Sequence, residues 1–232
     1  MEFNKNNCLL CDGEIVYFPE AKEMECVICK NTFETTACCE KGHYICDSCH
    51  SKNGIDIVIE TVRQTESKNP IEIMKKLMEQ SFIHMHGPEH HVLVGASLLA
   101  AYKNAGGKLD FERALREMKR RGSQVPGGVC GYWGSCGAAV STGIFMSIIT
   151  EASPLSEEPW RHSNLMTARV LNAVGNIGGP RCCKRNSFVA AEQAIDYVSE
   201  HFGIQMEKPS EWKCTFKQYN EQCIQTRCPF FK

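Results

Sequence analysis

Four cysteine-bearing elements follow one another at the start of the chain: Cys8-x-x-Cys11, Cys26-x-x-Cys29, Cys38-Cys39 with His43, and Cys46-x-x-Cys49. Zinc takes four tetrahedral sulfur or nitrogen ligands, and a CxxC turn puts two thiolates on one ion while its amides offset part of their charge. Cys8, Cys11, Cys26, Cys29, Cys39, His43, Cys46 and Cys49 therefore suffice for two structural zinc ions. Their spacing leaves sequential and cross-braced pairing both open. In so short a segment the metals stand in for a missing hydrophobic core.

A second group of reactive side chains lies beyond residue 80. "HMHGPEHHVLVGA" holds His84, His86, His90 and His91 with Glu89 among them, and the Gly87-Pro88 turn brings His86 back toward the helix that His90 and His91 begin. His90 and His91 point about 100° apart, so one of them is expected to join His86 at a metal. In "VPGGVCGYWGSCGAAVSTG", Cys136 opens a helix, where the positive end of the macrodipole favours thiolate, and Cys130 lies six residues earlier. "GGPRCCKRN" adds Cys182 and Cys183 between Arg181, Lys184 and Arg185, cations expected to lower a thiol pKa and to hold an anion. Neighbouring cysteines make a poor disulfide, and their side chains diverge, so the two thiols are expected to serve different tasks. Cys214, Cys223 and Cys228 complete the set, the last as a Cys-Pro pair resembling the loose ending of iron–sulfur ligand runs.

From Cys26 onward, "CVICKNTFETTACCEKGHYICDSC" resembles the front of a RING or related treble-clef finger, without the downstream CxxC that completes a RING. The first two CxxC pairs, fourteen residues apart around the apolar "EIVYF", are similar to a zinc-ribbon hairpin. "CGAAVSTG" resembles the core of the C-GCAxxG-C-C family, which is associated with redox work. Taken together, "HHVLVGA", "GGVCGYWGSCGAA" and "GGPRCCKRN" make Met85 to Phe231 similar to a domain-of-unknown-function family of anaerobic bacteria and archaea. Its members stand alone or are joined to SAM-dependent methyltransferases, so the resemblance implies a methyltransferase as a partner. No strand followed by a glycine-rich turn is present to cradle SAM in this chain itself.

The elements that must position these groups divide the chain into residues 1–66, a cysteine-rich double zinc module, and residues 67–232, a helical Cys/His-rich domain. The fold class expected is α+β, a zinc-ribbon or treble-clef module before an all-α domain. The β-branched run "IDIVIETV" reads as a strand closing the module. Beyond it, Asn69-Pro70 caps a helix with Ile71, Met74, Leu77 and Met78 on one face, and further helices are expected over 89–104, 110–122, 136–150, 162–174 and 187–201. Ser187 is assigned as the cap of the last.

Fifteen cysteines, an odd number, with repeated CxxC pairs and no secretory leader at Met1, point to metal ligands and reactive thiols in a reducing cytoplasm, and such thiol density suits an anaerobe. Net charge is −1, with lysines dispersed through the finger, which does not favour nucleic acid, and no apolar run approaches the roughly 18 to 20 residues of a membrane span. The function expected is a cytosolic redox or sulfur-handling protein. Its helical domain would gather Cys130, Cys136, Cys182, Cys183, Cys214, Cys223 and Cys228 around an iron–sulfur cluster or other transition metal, with His86 and His90 as metal ligands. Cys136, Cys183, His90 and His91 are the candidate catalytic residues, acting on a small anionic or sulfur-containing substrate with a redox partner. The alternative is a non-catalytic, zinc-dependent module serving a SAM-dependent methyltransferase or radical enzyme.

Overall fold

A computed structural model describes residues 8, 10, 11, 13–80 and 82–232. Two antiparallel strands, β1 (Ile15–Glu25) and β2 (Thr32–Cys39), form a hairpin near the start. Its register runs Ile15 opposite Cys39 to Tyr17 opposite Ala37, then resumes at Lys22 opposite Thr35, so β1 carries extra residues around Pro19. Proline has no N–H to give a ladder, which suits it to such an irregularity.

Among the described residues eight helices follow: α1 (Asp47–Gln64), α2 (Pro70–Met78), α3 (His90–Asn104), α4 (Phe111–Gly122), α5 (Val129–Tyr132), α6 (Gly137–Ile149), α7 (Glu158–Ile177) and α8 (Cys183–Phe202). The architecture is thus α+β, mostly helical, with one two-stranded sheet among the described residues. α3 is apolar or small nearly all round, and every residue from His90 to Tyr102 is buried, which makes it the central helix. α1, α2, α4, α6 and α8 pack around it, and α7 lies outside on α6 and α8. α4 shows the opposite pattern: Ala114, Leu115, Met118 and Gly122 face inward while its charged residues face out.

The run read as a closing strand is the second half of α1. Ile55, Val58 and Val62 recur at helical spacing and enter the same core as Leu93, Leu98 and Phe188. Burial at a period of 3.6 outweighs the β preference of branched side chains. α1 thus reaches from Cys46, its N-cap, into the helical core, and it precedes the expected boundary at Glu66.

Two other helix starts lie earlier than their sequence signals placed them. α7 begins at Glu158 with Pro159 in its first turn. α8 begins at Cys183, because Cys182, not Ser187, is its cap, with the Cys182 thiol accepting from the Arg185 N–H at 3.4 Å. Ser187 instead donates to the Cys183 carbonyl one turn back. The caps of α2 and α4 are as their residues predict: Asn69 accepts from the amides of Ile71 and Glu72, and Asp110 from that of Arg113. No described helix is long and apolar enough to cross a membrane.

Candidate functional site

The hairpin and the start of α1 assemble two cages. Cys8, Cys11, Cys39 and His43 form one and Cys26, Cys29, Cys46 and Cys49 the other, each with its ligand atoms within 4.8 Å of one another. Cys11 and Cys39 sulfurs are 3.4 Å apart, Cys29 and Cys46 sulfurs 3.8 Å, and His43 Nδ1 lies 3.3 Å from Cys11. Sulfurs at the corners of a tetrahedron about 2.3 Å from one zinc are about 3.8 Å apart, so both cages fit a single ion. Along the chain the two sets interleave. The first two CxxC pairs do not share a site, because they lie at opposite ends of β1, and the pairing is cross-braced.

Backbone amides complete the cages. Lys41 N–H donates to Cys39 Sγ and Cys46 N–H to Cys26 Sγ, both at 3.3 Å. Burial opposes ionisation of Cys26, yet amides of Cys29 and Cys46 bring its pKa down to about 6, while burial and the neighbouring thiols of Cys46 and Cys29 push Cys49 up to about 12. Four thiols this close ionise together only around a cation.

Where the finger meets the helical body, a cavity of about 260 Å³ opens, and it collects groups that are far apart in sequence. α1 supplies His50, the loop before α3 supplies His84 and His86, and the first turn of α3 supplies His90 and His91. Cys130 comes from α5, Cys136 from the cap of α6 and Cys183 from the first residue of α8. His90 and His91 both face the cavity, which is wide enough for two adjacent side chains to share it. Asp47 Oδ2 accepts from Gly127 N–H at 2.6 Å and ties the finger to the opposite wall.

Burial keeps four of these imidazoles neutral. It lowers His84 to about 4 and His86 to about 3, and it lowers His90 and His91 as well. Hydrogen bonds set their tautomers: His91 Nδ1 donates to Val125 O at 2.8 Å and His90 Nδ1 to Gly87 O at 3.1 Å. His90 Nε2 is left buried without a partner, as is His50 Nδ1. Behind the rings, Glu89 is fully buried and accepts from His84 N–H at 2.9 Å. Burial works against its charge, but contact with His90 and the nearby His84 ring holds it at about 2, so it orients the histidines as a carboxylate.

His86 departs from its expected role. Its Nε2–H donates to Asn220 Oδ1 at 3.3 Å and its Nδ1 accepts from Cys183 N–H at 3.5 Å, so neither nitrogen is free for a metal. Among the described residues, His86 and His90 join no third ligand closely enough for one ion.

The two thiols of "GGPRCCKRN" part company. Cys183 lines the large cavity, while Cys182 turns to a smaller pocket with Cys214, Cys223 and Cys228. All fifteen cysteines are free thiols. The flanking cations also separate. Arg181 reaches the cavity wall, over the Tyr17 ring and bonded to its hydroxyl. Lys184 and Arg185, expected to hold an anion, are buried instead. The Lys184 ammonium donates to the carbonyls of Ile83 and His84, and Arg185 donates to those of Gly178 and Pro180. They begin a helix rather than extend the loop, which points them into the body. With them turned away, burial pushes Cys183 up to about 12 rather than down.

His50 had no chemical role in the sequence reading. Its position four residues after Cys46 faces the cavity only because the segment is helical, and its ring meets that of His84 at a tilt, 4.4 Å between centroids. Tyr132 and Trp133, close to Cys130 in the chain, are exposed, Trp133 at 70%.

These features define a class: a cross-braced finger with two cages able to hold metal, set on a helical body with a cavity of thiols and imidazoles between them. The chain belongs to the family of unknown function DUF5714, whose model matches residues 58–231. No curated protein matches the chain, and no solved structure does.

Proposed function

We propose that this is a metal-binding redox or sulfur-handling protein, in which zinc in the two cages is structural and the histidine–cysteine cavity is the site of chemistry. The observation that carries the reading is the convergence, in one cavity, of Cys183, Cys136 and Cys130 with five imidazoles besides that of the cage residue His43, two of the five with an unpartnered buried nitrogen. Each unpartnered buried polar atom costs about 1–3 kcal/mol, a cost that a site meant to engage a ligand bears. Cys183 is the thiol assigned to react. Arg181, the one cation of "GGPRCCKRN" left on the cavity wall, offsets part of the cost of its thiolate and faces a small anionic or sulfur-containing substrate.

The chemistry assigned is exchange at sulfur. Cys183 loses its proton to water and its sulfur attacks the S–S bond of a persulfide or disulfide. That bond breaks as the new S–S bond forms, and the leaving thiolate takes up a proton from water. No outside oxidant is needed. A test is incubation with a small disulfide or persulfide, read by peptide mass. The Cys183 peptide is expected to gain the adduct, and Arg181→Gln is expected to slow the gain at least tenfold with zinc content unchanged. Labelling confined to other cysteines overturns the reading.

The exposed Tyr132 on the cavity wall and Trp133 next to it favour a second reading, in which the chain docks to a partner enzyme such as a methyltransferase or radical enzyme and does no chemistry itself. Full function of that partner with a Cys183→Ser, Cys136→Ser chain would support it.

A further inference from the structure

The smaller pocket has a different composition from the cavity. Cys182, Cys214, Cys223 and Cys228 all line it, and the rest of its wall is largely apolar, including Phe188 and Phe230. No histidine lines it. Cys182 lies within electrostatic reach of Cys214 and Cys228, and Cys214 within reach of Cys223 and Cys228. Four free thiols thus meet from one helix cap and three points of the C-terminal segment.

Two of these sulfurs already accept backbone hydrogen bonds, Cys182 from Arg185 N–H and Cys214 from Phe216 N–H, both at 3.4 Å. The finger cages use the same device on Cys39 and Cys26. An amide aimed at sulfur favours a thiolate that is bound to metal. The four do not, however, form a group with all ligand atoms within 4.8 Å, as both finger cages do. Their spread is too wide for one tetrahedral ion. A cluster in which each thiolate binds a different iron corner spreads its ligands further.

The segment that carries three of the four supplies an independent argument. Residues 203–232 contain no α-helix or strand, only 3-10 turns at Lys217–Tyr219 and Gln225–Arg227. So long a stretch without regular structure ordinarily has a functional reason or an added fastening. Trp212 stacks on Phe230 at 4.0 Å and meets Phe188 of α8 at 4.2 Å, which clasps one side. The thiols are what the other side has in common.

We propose that Cys182, Cys214, Cys223 and Cys228 ligate a four-iron, four-sulfide cluster that fastens the C-terminal segment to α8. The site is separate from the cavity thiols, although Cys182 and Cys183 are adjacent. It does not depend on sulfur exchange at Cys183, and an inert Cys183 with iron loading intact would overturn only that reading.

The test uses the full chain, purified without oxygen and reconstituted with ferrous iron and sulfide. About four irons and about four sulfides per chain are expected, with visible absorption that bleaches on reduction. Cys214→Ala and Cys228→Ala should each lose at least three quarters of the iron while the finger keeps its zinc, which reports that the fold survives. Cys183→Ala and Cys130→Ala should keep it. Cys223→Ser, with oxygen in place of one sulfur, should hold iron but shift the paramagnetic spectrum of the reduced cluster. Wild-type chain without iron, a third zinc in its place, or iron loss confined to Cys183→Ala and Cys130→Ala would overturn the proposal.

Discussion

His84, His86, His90 and His91 in the cavity wall are held uncharged for the same reason: burial has moved them out of water, and it outweighs the nearby Glu89 carboxylate. For His84 and His86 this carries a signed consequence. Their folded pKa values, about 4 and about 3, lie below the ordinary 6.5, so as pH falls the unfolded chain takes up protons first. The stability they contribute is complete above pH 6.5 and is lost as pH falls toward those values, about 2 kcal/mol per histidine between pH 6.5 and 5. Urea midpoints measured across that range, with excess zinc to hold the cages, are expected to fall, and His84→Gln should flatten the dependence. An unchanged slope would contradict the burial argument. The sequence marked His84, His86, His90 and His91 as a group, but proximity along a chain says nothing of which nitrogens are already bonded. Asn220 removes His86 from the free ligands from 134 positions away.

Helices bring these residues together, and one contact shows how closely. At Gly54 of α1, an added Cβ would lie 2.7 Å from the Phe82 carbonyl oxygen, a backbone atom of the loop that carries His84. Gly54→Ala should push α1 from that loop, part His50 from His84, and cost about 1–3 kcal/mol in chemical denaturation. Gly175 of α7 meets nothing within 4 Å, so Gly175→Ala should stabilise by up to about 1 kcal/mol through helix propensity alone. Equal effects at the two positions would mean that α1 does not press on the loop. Helices with caps of ordinary type, such as α2 and α4, were legible from sequence to within a residue or so. α8 was not, because a cysteine thiol as cap carries no sequence signal, and α1 was not, because its branched side chains favour a strand until the core they enter is known.

For the whole molecule, α1 links the finger to the helical body: Cys46 and Cys49 belong to a cage, while Ile55, Val58 and Val62 belong to the core. A chain beginning at residue 67 would lose those three side chains and His50 together, and it is expected to be much less stable than the full protein, or insoluble. A fully stable 67–232 fragment would instead make Glu66 a true domain boundary. Composition and spacing by themselves determined the ligand set of the finger, the helical character of the rest and the gathering of histidines before α3, because these depend on residue type and on periods of a few residues. Tertiary structure alone decided that the cages are cross-braced, that Cys182 and Cys183 face different pockets, and that Lys184 and Arg185 serve carbonyls rather than a ligand. Those outcomes depend on which distant segment lies opposite each side chain, and local patterns do not encode that. The side-by-side thiols of "GGPRCCKRN" diverge because Cys182 caps α8 while Cys183 begins it, so one residue of helix geometry separates the cavity from the four-thiol pocket.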